Sequence, residues 1–418
     1  MNYAVRIAAL YIMLNQLNSK LKKHIPSLIS LWRKNADGSN LSSKELSAVS
    51  NSLLALQRGL TGNRELAGAG YMDSSNYLGA YLLYYWPVSY MQISLEANAL
   101  KPFVKNAPLR ILDIGSGPAP ASAALCDAFS VNDVTLVDSS KKALSLAQRL
   151  FSAEWKACKV NTLVHNFETD GLPDISGKFD IIVLSHSLNE LWKDKSNALE
   201  LRAELLKKLS AFLEESGILL VSEPALLLTS RNLINVRDAL VQDGFSVISP
   251  CSCSAICPIT QMETQSETKQ TCHAEIFWSP IEPVASIAKL ARLDRQSVKM
   301  TYMAFVKGGS LQESDLQEND LPENKQSVYK VVSDGMLNKS GRIRYLLCDG
   351  TKRIPCSAKK DDEYARRIGF FSLSRYDTVE LENPELRGDA SNLAFGISPQ
   401  TKLKITKYSQ KASHSTKL

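Results

Sequence analysis

The sequence predicts an α/β fold built on a doubly wound parallel sheet, with helices before it and a small β-rich domain after it. Three observations carry this expectation. Short apolar runs at 109–114, 134–138, 179–184 and 217–223 have the length and β-branched content of buried strands, and amphipathic stretches at 121–129, 141–151 and 197–213 separate them. The first run breaks into Gly115-Ser-Gly117-Pro118 just before the first of those helices, the usual punctuation of a strand-to-helix turn. Alternation of strand and helix favours parallel pairing, because a parallel neighbour is reached only through a crossover long enough to hold a helix.

The elements can be justified in order. From 4 to 60 the apolar residues recur at helical spacing, as in Leu10, Leu14, Leu17 and Leu21, and Ser42 with Glu45 forms a capping box ahead of Leu46. A ring-rich stretch follows, with Tyr71, Tyr77, Tyr81, Tyr84, Tyr85, Trp86 and Tyr90. Such rings can stack on RNA bases, yet their near-helical spacing favours a packed helix face. After the parallel strands come a cysteine-rich loop at 250–273 and a returning strand pair at 274–278 and 300–306. Alternating patterns at 327–332, 342–348 and 378–381 suggest the appended β-rich domain. The expected organisation is therefore a helical domain at 1–100, the α/β domain at 101–308, an acidic linker at 309–326, a β-rich domain at 327–385 and a basic tail at 386–418.

Composition narrows the function. A chain of 418 residues suits two or three domains. The 49 Lys and Arg against 43 Asp and Glu leave a net charge of +6, compatible with a nucleic-acid partner without requiring one. No acidic residue follows Asp389, whereas Lys402, Lys404, Lys407, Lys411 and Lys417 do, so the end of the chain could reach phosphates or be a solvated terminus. No apolar run approaches the about eighteen residues of a membrane span, and the expectation is a soluble monomer with no membrane partner. Residues 1–36 lack Asp and Glu, which resembles a transit sequence in charge; they are read as the first helices of the fold.

The glycine turn defines a candidate cofactor site. Backbone N–H groups there and the following helix N-terminus can approach a ligand closely, and Asp138 at the end of the second strand can accept hydrogen bonds from ribose hydroxyls. A dinucleotide fingerprint needs a third glycine, but the position is Pro120, and Asp113 stands two residues before Gly115. Asp113-x-Gly115-x-Gly117 instead matches motif I of class I methyltransferases, whose ligand S-adenosylmethionine carries a sulfonium and an amino group and no phosphate; an acid near it is favourable. The competing reading is a ligand-free turn. Catalytic groups are harder to find. In Leu184-Ser-His186-Ser-Leu-Asn189-Glu190-Leu-Trp192, Asn189 and Glu190 are candidates to orient a methyl acceptor, with capping and packing as their alternative roles, and His186 reads as a structural histidine.

Four of the eight cysteines, Cys251, Cys253, Cys257 and Cys272, crowd into one turn-rich stretch. Gathered thiols point to zinc or an iron–sulfur cluster; disulfides and ordinary buried thiols are the alternatives.

These features combine into an ordered set: Gly59-Leu-Thr-Gly62, Gly70-Tyr71, Leu112-Asp-Ile-Gly-Ser-Gly-Pro118, Leu188-Asn-Glu-Leu191, Glu223-Pro224, Pro250-Cys251, Cys257-Pro258, Cys272-His273 and Leu347-Cys348-Asp-Gly350. The set resembles the small-ribosomal-subunit methyltransferase-like family of mitochondria and bacteria, the Rsm twenty-two family. The resemblance implies a protein that binds S-adenosylmethionine and acts on or with small-subunit rRNA. It further implies a four-iron–four-sulfur cluster held by Cys251, Cys257, Cys272 and Cys348, with Cys253 a spare thiol and zinc as the alternative metal. A cluster with that ligand set would fasten the β-rich domain to the α/β domain. Ala119 and Gly369-Phe-Phe371 depart from the family pattern, which has a glycine and a Trp-Gly-Asp sequence at those places. The expected location is the bacterial cytoplasm or the mitochondrial matrix. The leading expectation is a methyltransferase; the competing ones are a catalytically silent ribosome assembly factor and a small-molecule methyltransferase with a structural zinc.

Overall fold

The computed structural model describes residues 3–35, 37–58, 75–251, 255–261, 270–293, 296–308, 327–389 and 392–406. The Gly59–Gly62 and Gly70-Tyr71 motifs, Cys253, the 309–326 linker and Lys407, Lys411 and Lys417 lie outside the described residues.

Four helices come first: α1 (Tyr3–Arg33), α2 (Ser43–Gln57), α3 (Ser75–Ala80) and α4 (Trp86–Leu100), the last two joined by a π-helical turn at Tyr81–Tyr85. The Ser42 hydroxyl accepts the Glu45 N–H while the Glu45 carboxylate accepts the Ser42 N–H, the capping box expected from the sequence. Helix α4 is buried on nearly every side, consistent with a sequence that is apolar all round. Tyr84, Trp86 and Tyr90 are core side chains, so these rings pack instead of presenting a stacking surface.

The α/β elements follow in the predicted alternation: β1 (Leu109–Ile114), α5 (Pro120–Ala128), β2 (Val131–Asp138), α6 (Lys141–Glu154), β3 (Lys159–Val164), β4 (Phe179–Ser185), α7 (Ala198–Leu209) and β5 (Leu213–Pro224). Strand order β3-β2-β1-β4-β5 is parallel throughout, with β1 between β2 and β4. Continuous apolar strands such as Leu109–Ile114 and Phe179–Ser185 suit a sheet covered on both faces. The sequence reading omits β3, whose alternating polar residues reflect an edge position.

The chain continues through α8 (Leu227–Gln242), β6 (Phe245–Ser249), β7 (Ala274–Phe277), α9 (Val284–Leu290) and β8 (Ser297–Lys307). The returning pair β7 and β8 forms as expected, and β6 joins the other side of β8 antiparallel. Last come β9 (Ser327–Val331), β10 (Met336–Leu337), β11 (Arg342–Cys348), β12 (Arg353–Lys359), α10 (Glu363–Arg367), β13 (Thr378–Glu382), β14 (Glu385–Arg387), β15 (Ala394–Gly396) and β16 (Lys402–Thr406). They form one sheet in the order β14-β15-β12-β11-β9-β13-β16, with β10 on β11, over a core that includes Tyr345, Leu347, Cys356, Phe370 and Ile405. The departure at Gly369-Phe-Phe371 thus supplies a core residue, Phe370.

Two expectations about organisation are corrected. The β-rich domain does not end at 385: β15 and β16 lie inside the stretch read as a basic tail, and Lys402 and Lys404 pair with Glu382 and Glu380 at 3.0 and 2.8 Å. The lysines alternate with Leu403 and the buried Ile405, a period-two strand pattern that a charge count conceals. Compact units also divide the chain elsewhere than at the linker. One unit comprises Met1–Leu10, Pro224–Ile276 and Lys299–Leu418, and the other Tyr11–Glu223 with Phe277–Val298.

Candidate functional site

The glycine turn leaves the C-terminal end of β1, where doubly wound sheets bind ligands. Gly115 has φ +65° and Gly117 φ +53°, left-handed conformations that L side chains resist. A Cβ on Gly115 would run into the Ser187 side chain, whose hydroxyl donates to the Ile114 carbonyl at 2.8 Å. The loop after β4 is thereby seated on the turn. Ala119 also has φ +58° and is fully buried at the start of α5, so the departure from the family's glycine places an alanine in a glycine conformation.

Asp113 is 1 % exposed. Its Oδ2 accepts from the Ser122 hydroxyl at 2.6 Å and the Ser122 N–H at 3.3 Å, while Oδ1 is buried with no hydrogen-bond partner. Burial pushes this carboxyl up to about 7, against the opposing Ser122 hydrogen bonds, with the Asp138 charge adding to the rise. Asp138 accepts the Gly117 N–H on Oδ2 and the Ser140 N–H on Oδ1, both at 2.8 Å. The expected ribose acceptor is therefore also the brace that ties the turn to the end of β2. Tyr81, from the π-helical turn, lies within the field of Asp138, Glu190 and Asp113; burial first, then these charges, push its phenol up. A π-helical turn often marks a functional site. The sequence shows Tyr81 only as one ring of a helical stretch, since the widened turn has no pattern of its own.

The acceptor-side candidates separate. Asn189 is buried, its N–H donates to Glu223 Oε1 at 3.0 Å, and its carbonyl accepts from the buried Arg202 at 3.0 Å. Its role is to hold the loop. Glu190 is half-buried in the short 3-10 turn and shares the electrostatic environment of Tyr81 and Glu223. His186, with φ +60°, donates from Nε2 to Gln92 Oε1 at 2.8 Å, and burial pushes its ring down to about 4, so it is a neutral structural histidine. Two buried acids lie outside the site residues expected from sequence. Glu223 is pushed up to about 7 by burial, and Glu96, which accepts from the Ser222 hydroxyl at 2.6 Å, is held well above the carboxylate range by burial. Each keeps one buried oxygen without a hydrogen-bond partner.

The second expected site lies in the other compact unit. Cys251, Cys257, Cys272 and Cys348 are half-buried free thiols. Cys257 feels the charges of Cys272 and Cys251, and Cys348 feels the same two, so the four gather in one electrostatic neighbourhood. Asp238 of α8 organises the turn by accepting the Cys257 N–H at 3.0 Å and the Thr260 hydroxyl at 2.7 Å. Arg353 of β12 donates to Gln270 Oε1 at 3.0 Å and to the Thr271 carbonyl at 3.2 Å, which joins the β-rich sheet to the cysteine segment. The Gly350 N–H points at Cys348 Sγ, 3.4 Å away. Burial raises Cys257 and Cys348 to about 12, as crowded thiols without a cation should be. Among the described residues no group of three or more His, Cys, Asp or Glu has metal-holding geometry. Also among them, no helix is long and apolar enough to cross a membrane.

The β3-β2-β1-β4-β5 order, the glycine turn and the acid ending β2 define a class I methyltransferase-like protein. The chain belongs to the family described as mitochondrial small ribosomal subunit Rsm22, whose model matches residues 76–311, more than half of the chain. No curated protein matches it. Among solved structures the chain is similar to a ribosomal protein L11 methylase from Lactobacillus delbrueckii subsp. bulgaricus, at 14 % identity and TM-score 0.31 over 52 % of this chain and 78 % of that one. It is also similar to magnesium protoporphyrin IX methyltransferase from Synechocystis PCC 6803 with bound S-adenosylmethionine, at 12 % identity and TM-score 0.35 over 62 % and 97 %. A third is precorrin-6y C5,15-methyltransferase from Geobacter metallireducens GS-15, at 14 % identity and TM-score 0.32 over 51 % and 86 %.

Proposed function

We propose that this protein binds S-adenosylmethionine at the end of β1 and β2 and acts with the rRNA of the small ribosomal subunit. The observation that carries the reading is the buried, partnerless Asp113 Oδ1 beside a turn whose glycines leave room for a close ligand. When bound, S-adenosylmethionine supplies an activated methyl group on a sulfonium, together with cationic charge. Asp113 would provide the opposing charge, the turn amides and α5 N-terminus would approach the ligand's polar groups, and Asp138 would offer its remaining lone pairs to the ribose. Tyr81 and Glu190 would face the transferable group from the acceptor side.

A second reading, an assembly factor without methyl transfer, is favoured by a specific observation: Asn189 and His186 already hold structural hydrogen bonds, leaving Glu190 as the one candidate acceptor-side acid among the predicted residues. Isothermal titration of the full chain with S-adenosylmethionine, with Asp138→Ala as control, tests the cofactor. The variant should lose about 1–3 kcal/mol of binding, and equal affinity in both proteins refutes the site. Transfer of labelled methyl from S-adenosylmethionine to small-subunit rRNA separates enzyme from assembly factor.

For the second site, Cys251, Cys257, Cys272 and Cys348 fit a four-thiolate metal cluster in donor chemistry, and an N–H directed at a thiol is the kind of contact that tunes such clusters. Anaerobically purified protein should carry iron and acid-labile sulfide, about four of each per chain. One zinc and no sulfide would instead assign a structural zinc. The family's description favours a mitochondrial location over the bacterial cytoplasm, and fractionation of the native source tests this.

A further inference from the structure

Two cysteines belong to neither site. Cys126 lies in the last turn of α5, and Cys158 in the turn between α6 and β3, where its N–H donates to the Trp155 carbonyl at 2.9 Å. The Trp155 indole N–H donates to Asp127 Oδ1 at 3.2 Å, so the turn is anchored to the residue next to Cys126. Asp127 is itself fixed, because its Oδ2 accepts from His24 Nε2 at 2.9 Å and from the Tyr90 hydroxyl at 2.5 Å. The anchoring brings the two thiols into a direct hydrogen bond with each other, and both are free and half-buried. Elements distant in sequence thus hold two thiols in contact without any role in the core or in the cysteine loop.

We propose that Cys126 and Cys158 form a reversible disulfide by exchange with a low-molecular-weight disulfide such as glutathione disulfide. Cys158 is the attacking thiol. It is the acceptor in the S–H···S contact, which pulls it below the ordinary cysteine value, whereas that contact and burial push Cys126 up. The Cys158 thiolate attacks one sulfur of glutathione disulfide, forming a mixed disulfide and releasing one glutathione thiolate. Cys126 then gives up its proton and attacks Cys158 Sγ, which forms the Cys126–Cys158 bond and expels the second glutathione. Two protein thiols are oxidised, one glutathione disulfide is reduced to two thiols, and both protons end on glutathione. The bond would clamp the end of α5 to the start of β3, the elements flanking β2. In a reducing compartment such a bond would form and break with the redox poise.

The full-length protein, equilibrated anaerobically in buffers of increasing ratio of oxidised to reduced glutathione and quenched with N-ethylmaleimide, should yield a linked peptide containing Cys126 and Cys158 on peptide mapping. Reduction should reverse it. Cys126→Ser should stop at glutathione on Cys158, and Cys158→Ser should leave Cys126 alkylated. Absence of the linked peptide from the wild-type protein at every ratio overturns the proposal. So does equal linkage of Cys158 to the cysteines of the 251–272 segment, or glutathione found on Cys126 and not on Cys158 in the single variants.

Discussion

Asp113→Asn should make the protein more stable at high pH while abolishing its affinity for a cationic ligand. The Asp113 carboxyl has its pKa raised to about 7 by burial, against an ordinary value of 3.8. A carboxyl raised on folding stabilises relative to an ionised one only while it stays protonated: its contribution is full below the unfolded value and is lost as pH rises through the folded value. Between pH 5 and pH 8 that linkage costs the wild-type fold about 2–3 kcal/mol, from two to three units at about 1.4 kcal/mol each. Asparagine keeps the acceptor for the Ser122 hydroxyl and N–H but does not titrate. The variant-minus-wild-type difference in unfolding free energy should therefore grow by that amount from pH 5 to pH 8; Glu223 and Glu96 titrate in both proteins and cancel. Urea denaturation at fixed temperature, repeated across pH without ligand, measures it. A difference that stays constant with pH refutes the assignment of Asp113 as a buried protonated acid. Titration calorimetry supplies the second arm, since wild-type affinity for S-adenosylmethionine should rise from pH 6 to pH 8 and the variant should show no such rise.

Ala119→Gly should relieve the left-handed alanine, a strain of about 1–2 kcal/mol, partly offset by about 0.4–1 kcal/mol of unfolded-state entropy, so urea midpoints should rise slightly. Gly115→Ala should do the reverse, because its Cβ meets Ser187; a loss of about 2 kcal/mol or more together with lost S-adenosylmethionine binding is expected, and an unchanged denaturation curve would argue against the turn geometry. Cys348→Ser should lose bound metal and expose 327–406 to protease, whereas Cys253→Ser should do neither; full metal content in the Cys348 variant removes it from the ligand set. Truncation after Thr406 should preserve the sheet that ends in β16 and, if the remaining lysines meet phosphates, reduce the salt dependence of RNA binding by about 2–3 in log–log slope. An identical slope makes those residues bystanders.

The parallel core was legible because its strands are short, apolar and separated by amphipathic helices, a pattern with few alternatives; β1, β2, β4 and β5 fall where the runs at 109–114, 134–138, 179–184 and 217–223 put them. The turn was legible for a similar local reason, since Gly115 and Gly117 are needed wherever φ is positive. The capping box at Ser42 is likewise a matter of residues three apart. What the sequence could not decide are properties of neighbours remote in the chain. Nothing local distinguishes Asp113, with one oxygen left buried and partnerless, from Asp138, whose carboxylate is engaged by Gly117 and Ser140. Asn189 resembled a catalytic amide until Glu223 and Arg202 were found holding it, and Lys402 and Lys404 resembled a tail until β13 supplied Glu382 and Glu380. Periodicity is set by the backbone and can be read along one line, but burial and charge depend on what the fold brings alongside, and only the tertiary structure determines that.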